Sequence, residues 1–246
     1  MWVILKKEVN IFFSSLIGYL SIAIFLLIIG LFTWVFTDTN IPDGRYANLD
    51  QLFTVAPFIF MFLIPAVTMR TIAEEKQRGT LEFLLTKPVS DLQIILGKYF
   101  ACLFLVAIAI LPTILYYYSI VQLGNPPGNV DGGAIAGSYI GLFFLAAVFV
   151  AIGLFSSSLS SNQIVSFIIG VFFCFMMYMS FMYISELPIF YGKSDDLVKR
   201  LGINDHYLSM SKGKIDTRDL VYFLSCISFF IYLSFVSITK RKWANA

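Results

Sequence analysis

A dense cluster of ionisable residues lies in one short stretch of this 246-residue chain. Residues 71–90 read TIAEEKQRGTLEFLLTKPVS, and five acids and bases fall between Glu74 and Glu82, directly after a long apolar run. Apolar side chains surrounded by mixed charges suit a protein partner better than a lipid surface, because acids are disfavoured near anionic head groups. The stretch therefore indicates protein binding, with a solvated loop resting on the membrane as the alternative.

Candidates for catalytic chemistry are absent from the rest of the sequence. The chain has no G-x-x-x-x-G-K-S/T loop for ATP hydrolysis. His206 has no neighbouring metal ligand in the sequence and is expected to be an exposed loop residue. The serines of 156–161 have no catalytic base beside them and are expected to form a short loop before a helix cap at Asn162. Three cysteines lie in apolar runs and are expected to pack as core side chains, without a disulfide or a metal site: Cys102, Cys174 and Cys226.

The composition places the chain in a membrane. Hydrophobic residues make up 59% and charged residues 13%, more apolar surface than a water-soluble chain of this length could bury. A net charge of +2 gives no reason to expect nucleic acid as a partner. We predict an all-α polytopic membrane protein, a single transmembrane domain over 1–246 in contact with the lipid bilayer. Its six transmembrane helices are predicted at 16–36, 53–69, 99–123, 134–155, 164–185 and 220–239.

None of these six segments contains Asp, Glu, Lys, Arg or His. An ion-coupled secondary transporter normally binds its ion with intramembrane ionisable groups, so the sequence disfavours that class. An intramembrane protease or acyltransferase would need histidine-rich or paired-carboxylate motifs, which are also missing.

The distribution of basic residues predicts the orientation. With the N-terminus inside, ten Lys and Arg residues face the cytoplasm and seven face outward, six of them in one long loop. Among the short outer loops, four acids accompany a single base: Asp38, Asp43, Asp50 and Asp131 beside Arg45. Both termini and residues 70–90 are therefore expected in the cytoplasm.

Two further segments flank the spans. In residues 1–15, Trp2, Leu5, Val9 and Phe12 recur at helical spacing, which predicts an interfacial helix, with a frayed terminus as the alternative. The outer loop 186–219 contains SDDLVKRLG, which predicts a short helix with Ser194 as its N-cap and Gly202 as its stop, and Thr217 is predicted to cap the last span.

The charged stretch itself is predicted to fold as a helical elbow. Strong helix formers from Met69 to Arg78 continue the second span out of the bilayer, and Gly79 suits a left-handed stop. Thr80 is then expected to cap a short helix, LEFLL, that ends before Pro88, and Ser90 with Gln93 forms a capping box for the third span.

Three stretches of the chain resemble type-2 ABC exporter permeases. The elbow is similar to their cytoplasmic segment, roughly E-x-x-x-G-T-x-E-x-L-L-x-x-P-V/L-S, through Glu75, Gly79, Thr80, Glu82, Leu84, Leu85, Pro88 and Ser90. KKEVNIFFSSLIGY resembles the segment that leads into the membrane, and SKGKIDTRDLVYFLS the approach to the last span. Within the family, the branch associated with gliding motility in flavobacteria is the most similar.

The resemblance implies an inner-membrane permease subunit that supports export or a cell-envelope or gliding machine. A separate cytoplasmic ABC ATPase would bind the elbow as a coupling helix and carry the ATP and magnesium, and no cofactor is expected in this chain. The expected docking residues are Glu74, Glu75, Lys76, Arg78, Gly79, Thr80, Leu81, Glu82, Phe83 and Leu84.

The resemblance also implies pairing with a second permease copy or a related subunit. It places a substrate path between the second and fifth spans, with Phe58, Phe62, Phe172 and Tyr178 as candidates for an apolar gate. Ordinary packing of these aromatic rings remains the alternative. A membrane scaffold that transports nothing is the competing function, since a permease fold does not prove permeation.

Overall fold

The computed structural model describes residues 1–37, 39–42, 47–81, 89–188, 192, 195–214 and 216–244, and the regular structure in these ranges is helical. Its α-helices, numbered in chain order, are α1 (Trp2–Ser14), α2 (Leu16–Gly30), α3 (Asp50–Gln77), α4 (Asp91–Ile110), α5 (Ile114–Leu123), α6 (Gly132–Leu159), α7 (Gln163–Phe175), α8 (Phe181–Ser185), α9 (Asp195–Lys199), α10 (Ile203–Ser211) and α11 (Thr217–Ala244). A π-helical turn at Leu31–Val35 extends α2, a 3-10 turn at Leu111–Thr113 joins α4 to α5, and a π-helical segment at Met176–Ser180 joins α7 to α8.

All six predicted spans are present. Six helical segments of the described chain are long and apolar enough to cross a membrane: Leu16–Val35, Asp50–Gln77, Asp91–Leu123, Gly132–Leu159, Gln163–Ser185 and Thr217–Lys240. The second and third spans extend beyond their predicted bounds because polar helical turns continue them on the side of the charged stretch. The protein is therefore a multi-pass membrane protein.

The spans form an inner and an outer group. Helix α6 is the most enclosed, with 78% of its apolar window buried, followed by α3 and the α4–α5 span at 61% each. The other three spans are only 22–28% buried, so most of their apolar surface faces outward. The charged stretch thus follows directly from an inner helix, α3.

Small residues bring α6 close to its neighbours, as is usual for helices that pack within a bilayer. A Cβ at Gly153 would lie 2.0 Å from Oγ1 of Thr68 on α3, so no larger residue fits there without a shift. Gly137 and Gly141, spaced as G-x-x-x-G, also allow close packing on α6. The packed element is α10 rather than another span, since a Cβ at Gly137 would lie 2.5 Å from the carbonyl oxygen of Met210.

Two helix starts follow the predicted capping chemistry. Ser90 and Gln93 form the reciprocal capping box at the start of α4, with both hydrogen bonds at 3.3 Å. Asn162 caps α7, where its side-chain oxygen accepts from the amide of Ile164 at 2.9 Å. The expected serine loop before Asn162 is wrong, because α6 continues through Leu159 and buries Ser156, Ser157 and Ser158.

The loop 186–219, predicted to be external, contains more helix than expected. The short helix α9 is confirmed, whereas its predicted cap, Ser194, lies outside the described residues. Gly202 does not act as a left-handed stop: its φ is −85° and it precedes a second helix, α10. The predicted cap of the last span is also wrong by one residue, since α11 begins at Thr217 and Asp216 accepts the amide of Arg218 at 2.9 Å.

His206 is not the exposed loop residue that the sequence suggests. Its Nδ1 lies 2.6 Å from Oδ1 of Asp219, its Nε2 lies 2.9 Å from the carbonyl oxygen of Arg200, and its ring stacks on Tyr222 at 3.9 Å. Asp219 is buried at the start of α11. The histidine therefore ties α10 to the loop after α9 and to the last span. Within the described ranges, no group of three His, Cys, Asp or Glu residues could hold a metal ion.

Candidate coupling site

Helix α3 is long enough to carry the charged stretch beyond the hydrocarbon core. Its 28 residues correspond to about 42 Å at 1.5 Å per residue, against a core of about 30 Å. The helix ends at Gln77, and Gly79 has the left-handed φ of +68° predicted for the stop. Helical backbone resumes at Thr80 and Leu81. The Thr80 hydroxyl donates to the carbonyl oxygen of Glu75 at 3.4 Å, and the amides that it is predicted to cap lie outside the described residues.

One face of this last part of α3 carries a ladder of ion pairs. Oε2 of Glu74 lies 3.3 Å from Nε of Arg70, one turn before it, and Oε1 lies 2.7 Å from an Nη of Arg78, one turn after it. Pairs at this spacing each stabilise a helix by about 0.2–0.5 kcal/mol. The ladder keeps the end of α3 helical where it leaves the apolar environment.

A buried lysine lies behind that ladder. Nζ of Lys98, on α4, is 2.9 Å from Oε1 of Glu8 and 2.9 Å from Oε2 of Glu75, and it donates to the carbonyl oxygen of Thr71 at 2.7 Å. The Lys98 side chain is 1% exposed and that of Glu8 is 7% exposed. The ammonium donates hydrogen bonds to Glu8 and to Thr71, and its contact with Oε2 of Glu75 is an ion pair without hydrogen-bond geometry. We call Glu8, Glu75 and Lys98, together with Lys7, the ion cluster.

Lys7 completes the ion cluster at its surface. Its Nζ lies 3.1 Å from Oε1 of Glu75 and 3.6 Å from Oε1 of Glu8, so two lysines balance two glutamates. Partial burial lowers the pKa of Lys7, but the attraction of Glu75 and Glu8 outweighs it and holds that pKa above its ordinary value. The ion cluster joins α1, α3 and α4 at the end of the molecule where α3 ends.

Close backbone packing supports the ion cluster. A Cβ at Gly97 would lie 2.9 Å from Cγ2 of Ile4, so the glycine lets α1 lie directly on α4. The side of α1 that faces the protein is formed by Ile4, Glu8 and Phe12, one residue per turn. The predicted apolar face of Trp2, Leu5 and Val9 lies more exposed beside it.

A serine from α6 enters the hydrogen-bond ladder of α3 just before the ion cluster. Oγ of Ser157 accepts from the amides of Ile72 at 3.1 Å and Ala73 at 3.0 Å, and donates to the carbonyl oxygen of Met69 at 2.8 Å. Lys76 also donates to the carbonyl oxygen of Ser158. Helix α3 is therefore fixed to the end of α6 as well as to α1 and α4.

Sequence inspection missed Glu8, Lys98 and Ser157 as site residues. Lys98 lies directly before an apolar run and appeared to be a flanking base, and Glu8 interrupts the pattern of an amphipathic helix. One feature of the sequence could have identified Glu8 and Lys98. They carry opposite charges, each lies next to apolar residues, and their segments are predicted to lie at the same face of the membrane. Only their distance in the fold shows that they pair.

Comparison with known protein families identifies the family of this chain. A model of the ABC-2 family of transporter proteins matches residues 42–198, more than half of the chain, including the charged stretch and the second to fifth spans. This chain belongs to the ABC-2 transporter family. As an ABC-2 permease it is the membrane subunit of a transporter, a class that lies in the lipid bilayer, partners an ABC ATPase and typically lacks a nucleotide-binding motif. A search of curated proteins found no match.

The predicted docking residues of the ABC-2 permease fall into three groups. Arg78, Gly79 and Thr80 are exposed, with Glu74 and Lys76 half-buried beside them. Glu75 and Leu81 instead face the interior, since Glu75 belongs to the ion cluster and Leu81 is 2% exposed in the apolar core. Glu75 keeps the intermediate burial of Glu74 and Lys76, and the docking role of both Glu75 and Leu81 stays a prediction. The remaining three, Glu82, Phe83 and Leu84, lie outside the described residues.

The predicted gate residues of the permease lie at one side of α3. Phe58, Phe62 and Phe172 are each at least 42% exposed, on α3 and α7, whereas Tyr178 is buried in the π-helical segment. The rings of Phe58 and Tyr178 meet edge to face at 6.0 Å, and both line a cavity of about 340 Å³ near the start of α3 at Asp50. The structure thus brings Phe58 and Tyr178 together and leaves Phe62 and Phe172 on the outer surface.

Proposed function

We propose that this ABC-2 protein is the permease subunit of an exporter-type complex, docked to a cytoplasmic ATPase through residues 70–90. The observation that carries the proposal is the continuity of α3 from its start at Asp50 to the turn at Gly79. Its exposed end is held by the ion cluster and by Ser157. A force applied at the turn would therefore act on the inner spans α3, α4 and α6 together.

The proposed docking surface is the exposed end of α3 and the turn after it. Arg78 lies on this surface. Its side chain is 69% exposed, although it is paired with Glu74. Glu82, Phe83 and Leu84 extend the surface on sequence grounds. Glu75, through the ion cluster, and Leu81, through the apolar core, would support this surface from the interior of the protein.

The wider assignment rests on the sequence resemblance. We place the complex in the bacterial inner membrane with both termini in the cytoplasm, and α1 at the cytoplasmic interface. The permease pairs with a second copy or a related subunit, and a path for a hydrophobic-tailed cargo would run between the second and fifth spans. The described lining of the 340 Å³ cavity contains one acid, Asp50, and no base. The physiological role is export or support of an envelope machine such as the gliding apparatus.

Arg78→Glu tests the docking surface. Reversing this charge places it beside Glu74 and opposes any acidic contact of the ATPase, so we expect co-purification of the ATPase to fall roughly tenfold or more. Lys240→Glu is the matched control, because Lys240 is exposed at the end of α11, outside the proposed surface. Unchanged capture by the Arg78 variant, or an equal loss in both variants, would overturn the docking assignment.

The competing function is a scaffold that binds the ATPase without transport. Both functions predict the same docking result, but only an exporter makes ATP hydrolysis in the reconstituted complex respond to cargo. A proton- or ion-coupled transporter is not favoured by the ion cluster. The cluster lies at the end of α3 about 37 Å from Asp50, beyond the bilayer midplane where such sites are found, and its charges are paired with one another.

A further inference from the structure

Helix α1 has a second surface that the ion cluster does not use. The Ile4, Glu8 and Phe12 side is buried against the protein. Trp2, Leu5 and Val9 instead border an open groove. Trp2 is 71% exposed at its edge. The helix therefore forms one wall of a groove at the same end of the molecule as the coupling site.

The opposite wall of this α1–α4 groove is apolar and rich in aromatic residues. It consists of Phe100, Leu103, Phe104 and Ala107 on α4, with Phe143 of α6 beside them, and the groove has a volume of about 720 Å³. Ala107 and Phe143 also line a second apolar hollow of about 520 Å³, which continues along α4 and α6 toward the external end. A long hydrocarbon chain that enters beside α1 would therefore contact apolar side chains along both hollows.

A lysine side chain marks the mouth of the groove. Lys6 is the only ionisable side chain among the described residues of the lining, it is exposed, and it forms no ion pair in the described parts of the chain. Its neighbour Lys7 points to the other side and is held by Glu75 and Glu8. Lys6 is therefore available to an anion outside the protein.

We propose that the α1–α4 groove is a binding site for one anionic phospholipid. The phosphate would pair with the Lys6 ammonium, and an acyl chain would lie between α1 and α4 toward Ala107 and Phe143. Basic residues beside grooves between helices are known to recognise anionic lipid head groups. Because the same helix supplies Glu8 to the ion cluster, a lipid held here would brace α1 against α4.

Charge and shape favour a lipid over a helix of a second protein chain. A helix with its side chains is about 10–12 Å wide and would pack best against small residues, whereas the described lining carries three phenylalanines and a tryptophan. A transmembrane helix would also bring no anion to Lys6. Occupation by a second copy of the chain is nevertheless an outcome that the experiment distinguishes.

The test uses the purified permease without any ATPase, so its result is independent of the docking proposal. Native mass spectrometry would count bound phosphatidylglycerol and phosphatidylcholine during titration with each lipid. We expect a preference for phosphatidylglycerol that falls about fivefold in Lys6→Gln, the ratio that corresponds to roughly 1 kcal/mol for one lysine near anionic lipid. Lys240→Gln removes the same charge from exposed Lys240 on α11 and should keep the preference.

A second variant tests the acyl-chain bed. Ala107→Phe would fill the junction of the two hollows and should weaken binding of both lipids, with Tyr118→Phe on the exposed face of α5 as a control. The proposal is overturned if the wild type shows no preference, if Lys240→Gln loses it equally, or if Ala107→Phe leaves lipid binding unchanged. A loss of dimer in Ala107→Phe with unaltered lipid binding would assign the groove to a second copy.

Discussion

At the scale of single residues, Lys98 has the largest energetic role in the coupling site. A buried ion pair contributes little net stability compared with apolar residues of similar size, because desolvation offsets the attraction. Removing one partner is costly, however, since it leaves the other charge buried without compensation. Lys98 compensates two glutamates, so its loss affects α1 and α3 together.

Lys98→Met should therefore destabilise the permease by about 3–5 kcal/mol, the usual cost of breaking a buried pair. Thermal unfolding in detergent measures the change. The variant that combines Lys98→Met with Glu8→Gln and Glu75→Gln removes the uncompensated charges and should recover much of the loss. If the single variant were as stable as the wild type, the ion cluster would have no structural role.

His206 has a comparable role at the end of the molecule opposite the ion cluster. Both of its ring nitrogens face acceptors, the carboxylate of Asp219 and the carbonyl oxygen of Arg200. His206→Phe keeps the stacking on Tyr222 but removes both contacts, and we expect a loss of about 1–3 kcal/mol from the buried carboxylate that is left unpaired. Hydrogen exchange should accelerate in α10 in this variant, and Asp205→Asn, a change at an exposed neighbour, should leave the exchange as it is.

At the scale of helices, α3 is one continuous helix that a side chain of α6 contacts near its C-terminal end. The Ser157 hydroxyl bridges the amide of Ala73 and the carbonyl oxygen of Met69, two groups that pair with each other in an undisturbed α-helix. Side chains that enter the helix ladder in this way are a known cause of local bending. The contact lies on α3 just before the ion cluster. A change in the bend of α3 at this point would move the proposed docking surface.

Ser157→Ala tests this contact. Without the hydroxyl, the amides of Ile72 and Ala73 lose an acceptor, and we expect their hydrogen exchange to rise by about fivefold to thirtyfold, as for a loss of roughly 1–2 kcal/mol. Ser156→Ala is the matched control, because the Ser156 hydroxyl donates within its own helix to Gly153. Equal exchange in the two variants would show that Ser157 does not hold α3.

At the scale of the whole molecule, the orientation of the six spans decides which partners can reach each site. The ion cluster places α1, the end of α3 and the start of α4 together at one end, and the 28 residues of α3 place Asp50 at the other. The distribution of Lys and Arg favours the cytoplasm for the first end. The docking proposal requires that orientation.

Reporter fusions test the orientation directly. A reporter joined after Gln77 should be active only as a cytoplasmic marker, and one joined after Lys193 only as an external marker. A reporter after Lys240 should behave like the first, because six spans return the chain to its starting side. The reverse pattern would invalidate the docking surface and place α1 on the outer face.

The sequence by itself determined the membrane class, the six spans, the turn at Gly79 and the capping box at Ser90. These features depend on local properties, namely hydropathy over about 20 residues, glycine at a left-handed φ and side-chain oxygens near free amides. The motif around residues 71–90 also indicated the family that the comparison confirmed. The exposed docking residues and the lipid groove remain proposals.

The tertiary structure alone decided which charged residues face inward. Glu8, Glu75 and Lys98 are distant in sequence, and the relative rotation of α1, α3 and α4 makes them one cluster rather than three surface charges. The same holds for Ser157, Leu81 and His206, each of which looked like a loop or surface residue. Hydropathy fixes where a helix crosses the membrane, but packing against neighbours fixes which face turns inward, and that depends on contacts between distant parts of the chain.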